Sequence, residues 1–421
     1  LTDSNLEPIR PALVWMDDRC RAQVAEAQAQ MGEERLHQLS GKPPCTTPSL
    51  YKLLGLKARD PDAFAQSPRV LDVHAFVVGR LTGMAQTSPA CADPMGLIDM
   101  HTRQWSPELM ALLGVTSEQM ALLVEVGTIL GHVTADAAMA SGLPEGLPVV
   151  AGAGDGQCAG LGAGLVGPER AYLNLGTAIV SGLVSSEWRC DRAFRTLCAA
   201  IPGHYLMETD LKGGTFILNW MVERLLGHGP TQVATTLAAL EVEAAALGPG
   251  ADGLLLVPYW NGVMNPYWDD DATGMVLGWH GGHTAAHLYR AVLEGIALEQ
   301  RLHTEGVERA TGLVVEAFVV MGGGSRSDLW CQILADVTGK PIVRAGTAEA
   351  TSLGAAVLAT VAVGLHPDLA TAVGSMCRDS EEPFLPKTHA SYYDRLYHEV
   401  YVDLYGHVQE PMQRLMALTR G

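Results

Sequence analysis

Apolar positions along this 421-residue chain follow two rhythms, helical up to about residue 146 and mixed strand and helix beyond it. Pro11–Met16 reads as a strand that ends in Asp17-Asp18-Arg19, and a stretch rich in Ala, Gln and Glu follows from about Cys20 to Leu39 with helical spacing. Pro43-Pro44 interrupts it, and Thr47-Pro48-Ser49 starts a short helix through Lys52 and Leu53. Further helices are predicted from His74 to Gly83, from Pro107 onward, and from Val133 to Leu143 with a stop at Gly142. Ser106-Pro107 places proline at a first helical position, and Thr116-x-x-Gln119 has the form of a capping box.

The rhythm changes at Leu147–Gly164. An apolar run, Val149-Val150-Ala151, breaks into glycines, a single carboxylate, Asp155, follows, and a small-residue helix comes next. Val149 to Gly154 reads as a buried strand, apolar on both faces, which requires neighbours on both sides. Strands are then expected at Ala171–Leu175, Ile179–Val184, Tyr205–Met207, Leu254–Val257, Gly274–Gly278, Glu316–Met321 and Pro341–Arg344. Helices are expected at Phe216–Leu226, Thr231–Leu247, His287–His303, from Ser327 through Asp336, at Thr351–Val363, and at Tyr392–Leu418 with a kink or break at Pro411. Val257–Asp271 is too rich in Pro, Asn and aromatics for a regular element and reads as a loop over a cleft, with Asp269-Asp270-Asp271 as a solvated turn. Strand, glycine turn and helix occur at Asp155 and again at Gly322–Gly324, which suggests two related α/β halves facing a cleft.

Composition narrows the function classes. A length of 421 residues favours two domains, and 48% hydrophobic with 18% charged residues describes an ordinary globular chain. A net charge of −18 argues against nucleic acid and anionic membranes as partners. Eight scattered cysteines without a C-x-x-C pair suit buried thiols in a reducing cytoplasm. No apolar run reaches membrane-span length and no signal-peptide pattern opens the chain. The sequence starts at Leu1 inside a patterned segment, so further chain is expected in front of it.

Three motifs carry candidate chemistry. Asp155 after a glycine turn is equally a catalytic carboxylate and a helix N-cap; Gly176-Thr177 then ends the next strand and brings amides and a hydroxyl out of the sheet. Gly322–Gly324 is the better nucleotide candidate, because residues without side chains let a base or phosphate lie on the backbone before a helix N-terminus. A tight turn is the alternative. Ser327 occupies the last glycine position of a G-x-G-x-x-G, and no G-x-x-x-x-G-K-[ST] occurs, so neither dinucleotide nor P-loop chemistry is supported. His280-x-x-His283-x-x-x-His287 lacks a carboxylate at ligand spacing, and a metal site there is not expected.

Taken together, these motifs resemble the FGGY family of carbohydrate kinases, most of all its xylulokinase-type branch. Gly274-x-Val276-x-Gly278, followed from His287 by Leu288-x-x-Ala291-Val292-Leu293-Glu294, is similar to the family's second signature, with Trp279 where an aliphatic residue is usual. Pro48 to Phe64 with Lys52-Leu53-Leu54 resembles the first, with Gly55 in place of its Trp. Trp15-x-Asp17-x-Arg19, Gly152–Gly164, Leu175-Gly176-Thr177, Pro258–Trp268 and Gly322–Asp336 fall in family order. The resemblance implies two actin-like, ribonuclease-H-like domains with ATP and sugar between them, divided here as 1–152 on the sugar side and 153–421 on the nucleotide side. It implies ATP and Mg²⁺ as cofactors, Asp155 as catalytic base and sugar contact, Gly176 and Thr177 at phosphate, Gly282 at nucleotide, and Gly323 and Ser327 on the adenosine side. The expected substrate is a ketopentose, D-xylulose first. Ribulose, an aldonate or a polyol are alternatives, as is a catalytically silent nucleotide-binding relative; a homodimer is left open. The family's opening Asp-x-Gly-Thr strand and turn, and a later sugar-contacting segment before Trp15, do not occur in this sequence. The first domain is therefore expected to lack its opening strands, and the 421 residues alone to be poorly folded there and inactive.

Overall fold

The computed structural model describes residues 1–379 and 382–420, without the side chain of residue 420. Its first part is helical, as the spacing predicts. Gly32 divides the Cys20–Leu39 stretch into α1 (Arg21–Met31) and α2 (Glu33–Ser40), and α3 (Ser49–Arg59) and α4 (Val73–Thr82) follow. Gly41, Gly83, Gly114 and Gly142 each close a helix in the left-handed conformation, where a Cβ is strained. Leu36, Leu39, Leu50, Tyr51, Leu53, Leu56, Leu109 and Leu113 share one core.

Two expectations fail here. Pro11–Met16 forms no strand; Val14, Trp15 and Met16 lie in irregular backbone and are exposed, Trp15 by 69%. The stretch before Asp155 is a three-residue strand, β2 (Pro148–Val150), paired antiparallel with β1 (Ile129–His132) and half-buried along its length; only Ala151 beyond it is fully buried.

The second part is built on a six-stranded sheet. Its strands are β3 (Arg170–Leu175), β4 (Ile179–Ser185), β5 (Arg195–Cys198), β6 (Tyr205–Leu211), and, after the separate pair β7 (Leu255–Val257) and β8 (Met275–Leu277), β9 (Ala317–Met321) and β10 (Ile342–Arg344). They lie in the order β10-β9-β3-β4-β6-β5, with β10, β9 and β3 parallel and the remaining neighbours antiparallel. One face carries α5 (Asp155–Gly162) through Ala159, Ala163 and Tyr172. The main core holds α6 (Thr215–Trp220), α7 (Val233–Ala245) and α8 (Ala285–Thr311), the last a 27-residue helix buried through most of its first half. After β9 come α9 (Asp328–Thr338) and α10 (Ala350–Ala362).

The last helical stretch is interrupted, though not at proline. A π-turn at Tyr397–Tyr401 precedes α11 (Val402–Arg420), and Pro411 stays inside that helix. β5, unpredicted from sequence, forms the outer edge of the sheet and is covered by the first part: its Thr196 amide donates to the Gly41 carbonyl at 2.7 Å, and Lys42 Nζ reaches the Thr196 carbonyl at 3.3 Å. That cover leaves no free ladder for edge-to-edge pairing.

Candidate active site

The parallel register sets Met321 opposite Asn174, so Gly322–Gly324 and Gly176-Thr177 leave the sheet side by side. Gly322 has φ +82°, and a Cβ there would meet Asn174 Oδ1 at 2.5 Å; at exposed Gly323 a Cβ would meet nothing within 4 Å. A flat group can therefore rest on the backbone at Gly323, with the turn beneath it held by Gly322. The Gly176-Thr177 turn is fixed from below by the start of α6. Gly214 donates to the Thr177 carbonyl, and the Thr215 amide and hydroxyl both donate to the Gly176 carbonyl, all at 2.9 Å. The Thr177 side chain is left exposed.

Asp155 is the first residue of α5, with Gly154 as the N-cap. Its carboxylate accepts from its neighbour's amide, Gly156 N, at 2.8 Å, so it does not cap the helix in the usual N2 or N3 sense. The residue is exposed, and its carbonyl accepts from Thr351 Oγ1 of α10. Small residues let the two helices meet backbone to backbone: a Cβ on Gly162 would overlap the Ala350 carbonyl, and one on Gly354 would overlap that of Cys158. Gly156 and Gly160 rest on the other side against Tyr172 of β3, and a Cβ at Gly156 would lie 2.7 Å from Glu208 Oε2 of β6. The carboxylate is thus presented by a helix clamped on two sides.

The remaining sequence-predicted residues sit further out. Ser327 caps α9 by accepting from Trp330 N at 3.0 Å and donates to Glu241 Oε1 of α7 at 2.6 Å. Glu241 in turn bonds the Tyr289 hydroxyl of α8. Gly282 is exposed in the loop before α8 and donates to His280 Nδ1 at 3.1 Å. The structure therefore brings Gly176, Thr177 and Gly323 to one end of the sheet, with Ser327 on the following helix, and links that helix to the one after Gly282 through Glu241 and Tyr289. His287 binds Asp252 at 3.1 Å, and no metal-competent group of three ligands occurs among the described residues.

Sequence reasoning missed a row of charges along β6. Glu208 accepts from the Tyr172 hydroxyl at 2.8 Å and from Arg195 Nε at 2.5 Å; Arg195 also lies 3.6 Å from Asp210. Lys212 follows, 2.7 Å from Asp270 of the long loop. Burial raises the Asp210 carboxyl, opposed by Arg195 and Lys212. The signal was present in sequence as charges at alternate positions, Glu208, Asp210 and Lys212, just beyond the strand expected at Tyr205–Met207. The acidic triplet of the loop is likewise no solvated turn: Asp269 Oδ2 accepts from Tyr405, Gln409 and Gln413 of α11 at 2.8, 3.2 and 2.8 Å. Those partners lie some 140 positions away in the chain, beyond the reach of any local pattern.

Comparisons with known proteins bear on the family and the fold. Residues 1–162 match the profile of the N-terminal domain, and residues 171–363 that of the C-terminal domain, of the FGGY family of carbohydrate kinases. The chain is 30% identical over 371 residues to the xylulose kinase of Klebsiella pneumoniae, covering 86% of this chain and 73% of that protein. It is 25% identical to the gluconokinase of Bacillus licheniformis, over 86% of this chain and 72% of that one. The crystal structure of xylulose kinase from Rhodospirillum rubrum superposes with a TM-score of 0.86 at 28% identity, over 96% of this chain and 80% of that one.

Proposed function

The chain belongs to the FGGY family of carbohydrate kinases, with the family's two-domain actin-like fold, and from that premise we propose that it phosphorylates a ketopentose such as D-xylulose, with Asp155 as general base. The observation that supports this most directly is the exposed carboxylate at the N-terminus of α5, a helix whose Gly156 and Gly160 rest on Tyr172 of β3, the strand that runs into Gly176-Thr177. Asp155 accepts the proton of the sugar hydroxyl, the freed oxygen bonds to the γ-phosphorus, and the bond to the departing ADP breaks in line. Positioning and charge neutralisation supply most of the acceleration in such transfers.

The donor set suits the nucleotide. Gly323 offers an unobstructed backbone face and Gly176-Thr177 an exposed hydroxyl on a turn fixed by Gly214 and Thr215. Mg²⁺ is commonly held by nucleotide phosphates plus one or two protein oxygens, and it would neutralise the transferring group. Thr177 carries an exposed side-chain oxygen of that kind.

The xylulose kinase relatives favour the ketopentose over other sugars as the first substrate to test. The test is sugar-dependent ADP release across ketopentoses, polyols and aldonates, run beside Asp155→Asn. That variant should lose roughly two to four decades of kcat with ADP affinity unchanged. Retention of more than about a tenth of kcat would remove Asp155 as base, and absence of release with every sugar would remove the kinase reading itself.

A further inference from the structure

The charged row on β6 runs from beneath Gly156 to the level of the phosphate-side turn. Register sets Tyr172, Gly182 and Glu208 in one line across the sheet, Asn174, Val180 and Asp210 in the next, and Leu175, Ile179 and Leu211 in the one after. Lys212 is the next residue after that last line. It leads directly into Gly213-Gly214-Thr215, the segment that fixes the Gly176-Thr177 turn. The Lys212 and Asp270 side chains keep 25% and 32% of their surface open. Lys212 Nζ is therefore a cation beside the candidate site, just past a strand whose Glu208 lies beneath Gly156, the neighbour of Asp155.

Its charge is already balanced. Asp270 holds it at 2.7 Å, while Arg195 is shared by Glu208 and Asp210. Three carboxylates thus meet two cations along the row, before Asp155 is added. Asp210 Oδ1 is buried without a hydrogen-bond partner, so no spare donor offsets it. A sugar acid brought here would place its carboxylate in a field that is negative and only partly screened by solvent. A neutral sugar meets something different: an ammonium that donates beside a carboxylate that accepts, the complement of two neighbouring hydroxyls.

We infer that the Lys212–Asp270 pair is a specificity-determining element of this site, which selects a neutral polyhydroxylated sugar and rejects an aldonate by keeping the Lys212 ammonium neutralised. This rests on the kinase reading and narrows its substrate class. Asp270 acts by occupying Lys212, and Lys212 by donating to a substrate hydroxyl.

The experiment compares kcat/KM for D-xylulose and for gluconate in the wild type, Asp270→Asn and Lys212→Met, with ADP affinity by calorimetry as a control for folding. Wild type should favour the neutral sugar. Asp270→Asn should release the ammonium and raise the gluconate-to-xylulose ratio by roughly ten- to a hundredfold, the scale of one charge-assisted hydrogen bond. Lys212→Met should raise KM for the neutral sugar with ADP affinity unchanged, and should abolish the gain when combined with Asp270→Asn. A ratio within threefold of wild type in Asp270→Asn, or a wild type that prefers gluconate, overturns the inference while leaving the kinase reading intact. Loss of ADP release with both sugars and with the wider panel overturns that reading, and this one with it.

Discussion

Gly322 and Gly323 are neighbours, yet a side chain added to each would do opposite things. At Gly322 it would strike Asn174 and strain a left-handed backbone; at Gly323 it would enter open space. Gly323→Val should therefore fold with an unchanged melting temperature but bind ADP much more weakly; unchanged ADP affinity by calorimetry would place the nucleotide elsewhere. Asp93 gives a second test at this scale. It is fully buried, 3.6 Å from Lys42 and bonded to the Cys198 amide, and burial pushes its carboxyl up to about 6 from 3.8, with Lys42 opposing. The folded chain holds this proton more tightly than the unfolded one. The group's stabilising contribution is thus complete below about pH 4 and is lost as pH rises through about 6. Asp93→Asn should remove that slope, so wild type should lose up to about 3 kcal/mol relative to the variant between pH 4 and 8. Denaturation at a series of pH values checks it; a difference independent of pH would show that Asp93 titrates normally.

Among elements, the contact between α5 and α10 fixes where the candidate base stands. Gly354→Val would drive a side chain into the Cys158 carbonyl, so it should cost about 1–3 kcal/mol, the usual penalty of overpacking. Because the displaced helix begins at Asp155, kcat should fall along with the melting temperature. A destabilised variant with wild-type kcat would show that the base does not depend on this contact. The glycines here were legible as a small-residue pattern, and so were the strand–turn–helix units at Asp155 and Gly322. Those signals are local, and local sterics decide them. What stayed illegible depended on distant partners. β5, Arg-Thr-Leu-Cys, has no alternation to mark it and exists because β6 and the Gly41–Lys42 segment flank it. Pro11–Met16 has the apolar content of a strand but finds no ladder partner, and it remains irregular. The strand expected at Tyr205–Met207 runs on to Leu211, where Arg195 and Tyr172 partner the charges of Glu208 and Asp210.

At the scale of the molecule, the loop after β7 joins three regions. Asp270 holds Lys212 beside the site; Trp268 Nε1 donates to the Arg192 carbonyl at 2.7 Å while Arg192, paired with Glu33 of α2, donates back to Tyr267; and Asp269 gathers three donors from α11. Burial would raise the Asp269 carboxyl, but the hydrogen bonds from Gln413, Tyr405, the Asp271 amide and Gln409 outweigh it and hold it low. Asp269→Ala would strand those donors. Amide exchange along residues 402–413 should speed up, and KM for the sugar should rise with ADP affinity unchanged; unaltered exchange in that segment would show that the helix docks without the loop. The π-turn at Tyr397–Tyr401 gives this attachment its phase. Tyr405, Gln409 and Gln413 face Asp269 because the wide turn before them carries one residue more than an α-turn would. A lineage that lost a single codon between 397 and 401 would regain a regular helix and turn everything after it by about 100°, pointing all three donors away from the loop. On this stretch substitution is cheap on the exposed side, whereas a change of length acts as the loss of a gear tooth would.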